Sequence, residues 1–347
     1  MEGLLTVRWD DGRVVMIDQT RLPGSLEFVE YSDHLQVADA IRGLVVRGAP
    51  AIGVAGALGL ALAARNSTAA TREALLDDIE SARRILHGTR PTAVNLAWGL
   101  GRVADAARAA QDPASMREAA EAEAKRIADE DVRINRSMGR HGAALIGDGE
   151  TVMTHCNAGA LATVAYGTAL GVIRAAREDG KKNRVVATET RPVQQGSRLT
   201  AFELQHDGFD VSLIPDTAVG YSMASGMVQK AVVGADRVLR TGHVFNKIGT
   251  YQVAVMAARH NIPFYVAAPL STIDLESGVD DVVIEMRGAG EVTGTGGSRT
   301  APEGIGVVNP AFDMTPPELV SGIITERGVA RAPYEESLPA LFGVIPS

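Results

Sequence analysis

Residues 151–171 read TVMTHCNAGALATVAYGTALG. A short apolar run ends in the polar step His155-Cys156-Asn157, and a glycine-alanine stretch follows. That is the signature of a strand passing through a polar turn into a helix. The unit recurs: TVMTH, RVVATE, VSLIPD, AVVGAD and PFYVAA alternate with helical stretches at 159–178, 196–207, 220–229 and 249–260. A repeating βα pattern predicts a parallel sheet covered by helices on both faces. Such sheets bind ligands beyond the carboxyl ends of their strands. Here those ends are His155-Cys156-Asn157, Glu189-Thr190-Arg191, Asp216-Thr217 and Gly234-Ala235-Asp236.

Upstream the period is different. Residues 1–30 alternate apolar and polar around a turn at Asp11-Gly12 and read as a small antiparallel unit. Helical spacing then covers 35–46, 50–65, 71–87, 92–109 and 113–145, with Pro50 and Pro91 at positions where a helix starts. The change of period places a boundary near Gly147, giving an N-terminal β-plus-helical domain over 1–146 and an α/β domain over 147–347.

The bulk numbers fit this picture. Hydrophobic residues make up 46% and charged residues 22% of 347, an ordinary globular balance. A net charge of −8 argues against nucleic acid as a partner. One cysteine cannot form an intrachain disulfide, and with no signal peptide this points to the cytoplasm. Gly48 to Ala64 carries no charge, but it is short for a membrane span and rich in glycine and alanine. A buried helix packed through Gly53, Gly56 and Gly59 explains it better.

Several residues are candidates for chemistry. Cys156 and Asp236 end two strands of one sheet and can face one crevice. A carboxyl at the end of AVVGAD would be desolvated and kept neutral, hence able to act as an acid. The plainer alternatives are a packed thiol and an aspartate capping a turn. Arg47 precedes Gly48-Ala49-Pro50, Arg90 precedes Pro91, Asn246-Lys247 precede Gly249, and Gln195 lies in RPVQQGSR. Each opens a helical stretch, where backbone N–H groups and a cation suit a phosphate. Singly, each also reads as a solvated surface group or a turn. The glycine-rich 291–304 does not run from a strand into a helix, no G-x-G-x-x-G follows the first βα strand, and the histidines are scattered. Neither a dinucleotide nor a metal is expected.

RGAPAIGVAGALGLALAA, TRPTAVNLAWGL, THCNAGALATVAYGTALGVIRAA, ETRPVQQGSRLTAFEL, VVGADR, NKIGTYQVAVMAARHNIPFYVAAPLSTIDL and NPAFDMTP occur in this order between Arg8 and Tyr334. Together they resemble the methylthioribose-1-phosphate isomerase family, whose wider superfamily includes regulatory subunits of translation initiation factor 2B and ribose-1,5-bisphosphate isomerases. The resemblance implies a homodimer with a Rossmann-like C-terminal domain. It implies conversion of 5-methylthioribose 1-phosphate to 5-methylthioribulose 1-phosphate in methionine salvage, without a cofactor. Cys156 and Asp236 would be the catalytic pair. Arg47, Gly48, Ala49, Arg90, Gln195, Asn246 and Lys247 would bind substrate.

A sugar phosphorylated on its anomeric oxygen cannot open its ring unaided, so an acid at the ring oxygen is needed. A second group must handle hydrogen transfer from C2 to C1, either by shuttling a proton or by stabilising a hydride shift. Three positions depart from the family pattern: Thr188 for an aspartate in ATETRP, Thr217 for an asparagine in DTAVG, and His243 for an aspartate in TGH. All three are expected near the sheet rim, where they bear on the sugar substituent. The alternatives are another 5-substituted ribose 1-phosphate, such as 5-deoxyribose 1-phosphate or ribose 1,5-bisphosphate, or a non-catalytic regulatory subunit.

Overall fold

The computed structural model describes residues 3–91 and 93–343. Thr92, where the sequence reading opens a helix, lies outside the described residues. The chain divides into two compact units, one of residues 1–137 with 158–171, the other of 138–157 with 172–347. The units are therefore not two halves of the sequence, because 158–171 groups with the first.

The first unit begins with a three-stranded antiparallel sheet, β1 (Val7–Asp10), β2 (Arg13–Ile17) and β3 (Phe28–Tyr31). Helices α1 (His34–Arg42), α2 (Ala49–Asn66), α3 (Arg72–His87), α4 (Val94–Ala109) and the long α5 (Pro113–Ala143), whose residues from Met138 belong to the second unit, follow. The sequence places Pro91 at a helix start, but α4 starts only at Val94 and Pro91 stands in the preceding turn. The apolar α2 is long and uncharged enough to cross a membrane by composition, yet its window is 78% buried in protein. Its glycines explain how. A Cβ on Gly53 would lie 2.7 Å from the Asn95 carbonyl oxygen, and one on Gly99 would lie 2.6 Å from the Gly53 oxygen. Helices α2 and α4 thus pack backbone against backbone. Leu58, Leu60 and Leu62 of α2 are fully buried, each worth roughly 1.5–3 kcal/mol of transfer free energy.

In the second unit the strands are β4 (Thr151–Thr154), β5 (Arg184–Thr188), β6 (Val211–Ile214) and β7 (Lys230–Val233), with α6 (Ala169–Glu178), which starts in the first unit, then α7 (Ala201–His206) and α8 (Val219–Ala224) between them. Strands β8 (Arg237–Leu239) and β9 (Val244–Lys247) form a hairpin, then α9 (Thr250–Arg259), β10 (Phe264–Ala267) and β11 (Ile273–Asp274) follow. A one-turn α10 (Gly290–Thr293) leads into the hairpin β12 (Gly294–Thr295) and β13 (Ser298–Arg299), so the glycine-rich segment is a tight β-turn. Strands β14 (Phe312–Thr315), β15 (Gly322–Thr325) and β16 (Gly328–Ala330) precede the last helix, α11 (Tyr334–Leu341).

The main sheet has the order β16-β15-β10-β7-β4-β5-β6 and is parallel apart from β16, a Rossmann-like arrangement. From β4 the chain lays down β5 and β6 on one side, then returns to place β7 and β10 on the other. The order therefore reverses between β4 and β7, the place where an open α/β sheet leaves a crevice. A second sheet, β11-β8-β9-β14, flanks it in sequence. Two helix expectations fall short here: that over 220–229 stops at Ala224, and that over 159–178 is confined to Ala169–Glu178. Tyr166 and Gly167 take positive φ of 74° and 86°, which no helix tolerates, and 158–168 forms a loop with one 3-10 turn.

Candidate active site

Cys156 lies two residues past the end of β4 and Asp236 three past the end of β7. β4 and β7 pair in parallel, so both residues leave the sheet at its carboxyl edge, on either side of the reversal. Cys156 is 7% exposed and has φ of +62°, a left-handed backbone that side chains with a Cβ rarely adopt. Its N–H donates to Thr190 Oγ1 at 2.9 Å, and its carbonyl accepts from Thr200 Oγ1 at 2.6 Å. Asp236 is half-buried, with its N–H donating to the Phe245 carbonyl at 2.9 Å.

The strand ends are tied to one another. Asp216, just past β6, accepts the N–H groups of Thr190 and Arg191 at 2.8 and 2.6 Å. Asn157 donates to Glu203 Oε1 at 2.8 Å, and Glu203, fully buried, pairs with Arg174 at 3.0 Å. His155 is buried between two partners: Nε2 lies 2.8 Å from the Ile248 carbonyl and Nδ1 lies 2.7 Å from Thr188 Oγ1. A carbonyl only accepts, so Nε2 carries the hydrogen and Nδ1 accepts from the threonine hydroxyl. Burial pushes the imidazole below its usual pKa, which agrees with that neutral ring.

Through Ile248 the turn at Cys156 meets the segment that follows β9. Asn246 Nδ2 donates to Thr250 Oγ1 at 2.9 Å. Lys247 is buried, donates to the Ala311 carbonyl at 2.8 Å and stands 4.6 Å from the centre of the Phe312 ring. The first N–H groups of α9 meet a carboxylate of the chain itself: Asp313 accepts from Gly249 at 2.7 Å and from Tyr251 at 3.1 Å. Burial lifts Asp313 to about 6. Gln195 is buried in the turn after β5, and its Oε1 has no hydrogen-bond partner. Arg191, in the same turn, donates to Thr295 Oγ1 and to the Val292 carbonyl, both at 3.1 Å. Residues 191–194 and the β12–β13 hairpin line a cleft of about 470 Å³.

Cys156, Gln195, Asp236, Asn246 and Lys247 therefore all belong to the second unit, around the ends of β4, β5, β7 and β9. Arg47, Gly48, Ala49 and Arg90 belong to the first unit. There Gly48 has φ of +97° and leads into α2, and a Cβ on it would lie 2.5 Å from Ala162 Cα. Arg47 and Arg90 are half-buried. Among the described residues no three His, Cys, Asp or Glu side chains gather as metal ligands would.

Of the three departures, Thr188 ends β5 and Thr217 follows β6, both at the rim. His243 does not: it sits in the β8–β9 turn, 2.8 Å from Thr241 Oγ1, at the opposite end of β9 from Lys247. Sequence reasoning missed Thr200 and Asp313. Asp313 was visible in NPAFDMTP, but it lies on an antiparallel strand outside the main sheet.

Comparison with known proteins adds to this geometry. The family described as the initiation factor 2 subunit family matches residues 45–332. Methylthioribose-1-phosphate isomerase of Geotalea uraniireducens (strain Rf4) is 54% identical over 342 residues, covering 97% of this chain and 99% of that protein. The crystal structure of 5-methylthioribose 1-phosphate isomerase from Pyrococcus horikoshii OT3 superposes with a TM-score of 0.92 at 46% identity, covering 98% and 96% of the two chains. That of translation initiation factor eIF-2B, subunit delta, from A. fulgidus gives 0.89 at 52%, covering 98% and 99%.

Proposed function

The chain belongs to the initiation factor 2 subunit family, and from that premise we propose that it is an aldose–ketose isomerase converting 5-methylthioribose 1-phosphate to 5-methylthioribulose 1-phosphate, a step of methionine salvage. The observation that carries the reading is that Cys156 and Asp236 lie in the turns just past two adjoining parallel strands, in a chain 54% identical to a methylthioribose-1-phosphate isomerase over nearly its whole length.

In the proposed reaction Asp236 gives a proton to the ring oxygen as the C1–O bond to the ring breaks. Hydrogen then moves from C2 to C1 while the C2 hydroxyl gives its proton back to the Asp236 carboxylate and becomes the ketone, so the acid is restored and the product is an isomer of the substrate. Cys156 serves this second step. Gln195, Asn246 and Lys247 hold the substrate; the buried, unpartnered Gln195 Oε1 supports a polar ligand at its position. A homodimer and a cytoplasmic location form part of the same proposal.

The 52% identity to the A. fulgidus protein favours a second reading, a regulatory subunit without turnover. Kinetics of Cys156→Ser and Asp236→Asn against wild type separate the two. The isomerase reading expects each variant to lose turnover by about 10²–10⁴-fold, the span of one acid–base group. Equal rates in wild type and both variants would remove the pair from the reaction. Competition among 1-phosphates of methylthioribose, 5-deoxyribose and ribose 5-phosphate identifies the 5-substituent.

A further inference from the structure

We propose that Thr190 and Thr200 are positioning residues for the Cys156 thiol, gripping its peptide from both sides and holding it in the left-handed conformation. The inference rests on the isomerase reading above, in which Cys156 is a reacting group.

A residue with a Cβ is strained in the left-handed region and stays there only where its surroundings impose it. For Cys156 those surroundings are two hydroxyls from different segments. Thr190, past the end of β5, takes the N–H, and Thr200, in the π-turn ahead of α7, gives its hydrogen to the carbonyl. Each threonine is itself fixed. The Thr190 N–H is held by Asp216 at 2.8 Å, and Thr200 Oγ1 accepts from Asn157 Nδ2 at 3.2 Å. Asn157 is held in turn by the buried Glu203, which Arg174 neutralises. Because φ sets the direction in which Cβ leaves the main chain, release of the grip lets the peptide relax to negative φ and re-aims the thiol. Both hydroxyls act on backbone atoms, so the effect on chemistry is indirect and does not need contact with substrate.

The lone cysteine makes the test specific, since any alkylation of the folded protein reports on Cys156. In the full-length protein, Thr190→Val and Thr200→Val keep the shape and remove the hydroxyl; Thr→Ser at each position restores it. The expected result is at least a tenfold fall in kcat for the valine variants with KM within about threefold, using 5-methylthioribose 1-phosphate. Their rate of alkylation by iodoacetamide should change at least fivefold, and the serine variants should return both readouts toward wild type. Wild-type kcat and alkylation in the folded valine variants would overturn the proposal, as would serine variants as impaired as valine. Should a valine variant not fold, alanine at that position is judged by the same two readouts. If Cys156→Ser keeps full turnover, the isomerase role of the thiol fails while the alkylation rates still decide the grip.

Discussion

His155 and Thr188 stand 2.7 Å apart, nitrogen to hydroxyl, on neighbouring strands β4 and β5, and the far side of the ring is bound to the Ile248 carbonyl at 2.8 Å. One neutral tautomer satisfies both contacts. His155 therefore links the turn that carries Cys156 with the segment after Lys247 without bringing a charge into either.

Thr188→Asp should change that state. An aspartate beside Nδ1 favours the imidazolium, so the His155 pKa, now below its usual 6.5, should rise, as an NMR titration of the ring would show. The sign for stability follows. With a depressed native pKa, His155 contributes stability that is present above 6.5 and lost as pH falls below it. Thr188→Asp should lessen that acid loss in chemical denaturation between pH 7 and 5. An unchanged ring pKa would contradict the account of the pair.

Asp131 makes the opposite prediction in the first unit. Its buried carboxyl accepts the Val164 N–H at 2.7 Å, and burial lifts its pKa from 3.8 to about 7. A raised native pKa gives stability that is full below 3.8 and lost as pH rises through about 7. Asp131→Asn should flatten the pH dependence of unfolding across that window, measured by denaturant titration.

Gly196 follows β5 with its backbone pressed on the strand: a Cβ there would lie 1.7 Å from the Thr188 carbonyl oxygen. Neither atom is on a flexible side chain. Gly196→Ala should destabilise by more than about 4 kcal/mol, beyond the ordinary range for single substitutions, or prevent folding. Gly180→Ala, with nothing within 4 Å but φ of +87°, should cost far less. Thermal unfolding of the two compares them directly.

Removing one partner of a buried ion pair leaves a lone charge in apolar surroundings, at a cost of about 3–5 kcal/mol. Glu203→Ala takes one carboxylate partner from the buried Arg174, whose pairing with Asp207 offsets part of that cost. It also releases Asn157 beside the cysteine turn. The expected result is a large fall in unfolding free energy together with reduced kcat. Full activity with full stability would show that the network does not reach the site.

The parallel sheet was legible because strands buried on both faces read as continuous apolar runs, and β4, β5, β7 and β10 do so over VMT, VVAT, AVV and FYVA. The polar residues after them then stood out as the rim. The loop over 158–168 was hidden by its own composition: alanine-rich sequence favours helix, while Tyr166 and Gly167 take positive φ and Gly167 lies too close to Gly159 to carry a side chain. Thr200 and Asp313 were hidden for another reason. Their partners, Cys156 and Gly249, lie 44 and 64 residues away, and no local pattern records a bond that only the finished fold brings together.

The central claim is turnover. Purified protein incubated with 5-methylthioribose 1-phosphate and followed by ¹³C and ³¹P NMR should lose the anomeric C1 signal and gain a ketone at C2, with the phosphate retained on C1; in deuterated water, deuterium at C1 marks proton transfer. An unchanged spectrum from active-site-intact, folded protein would contradict the account.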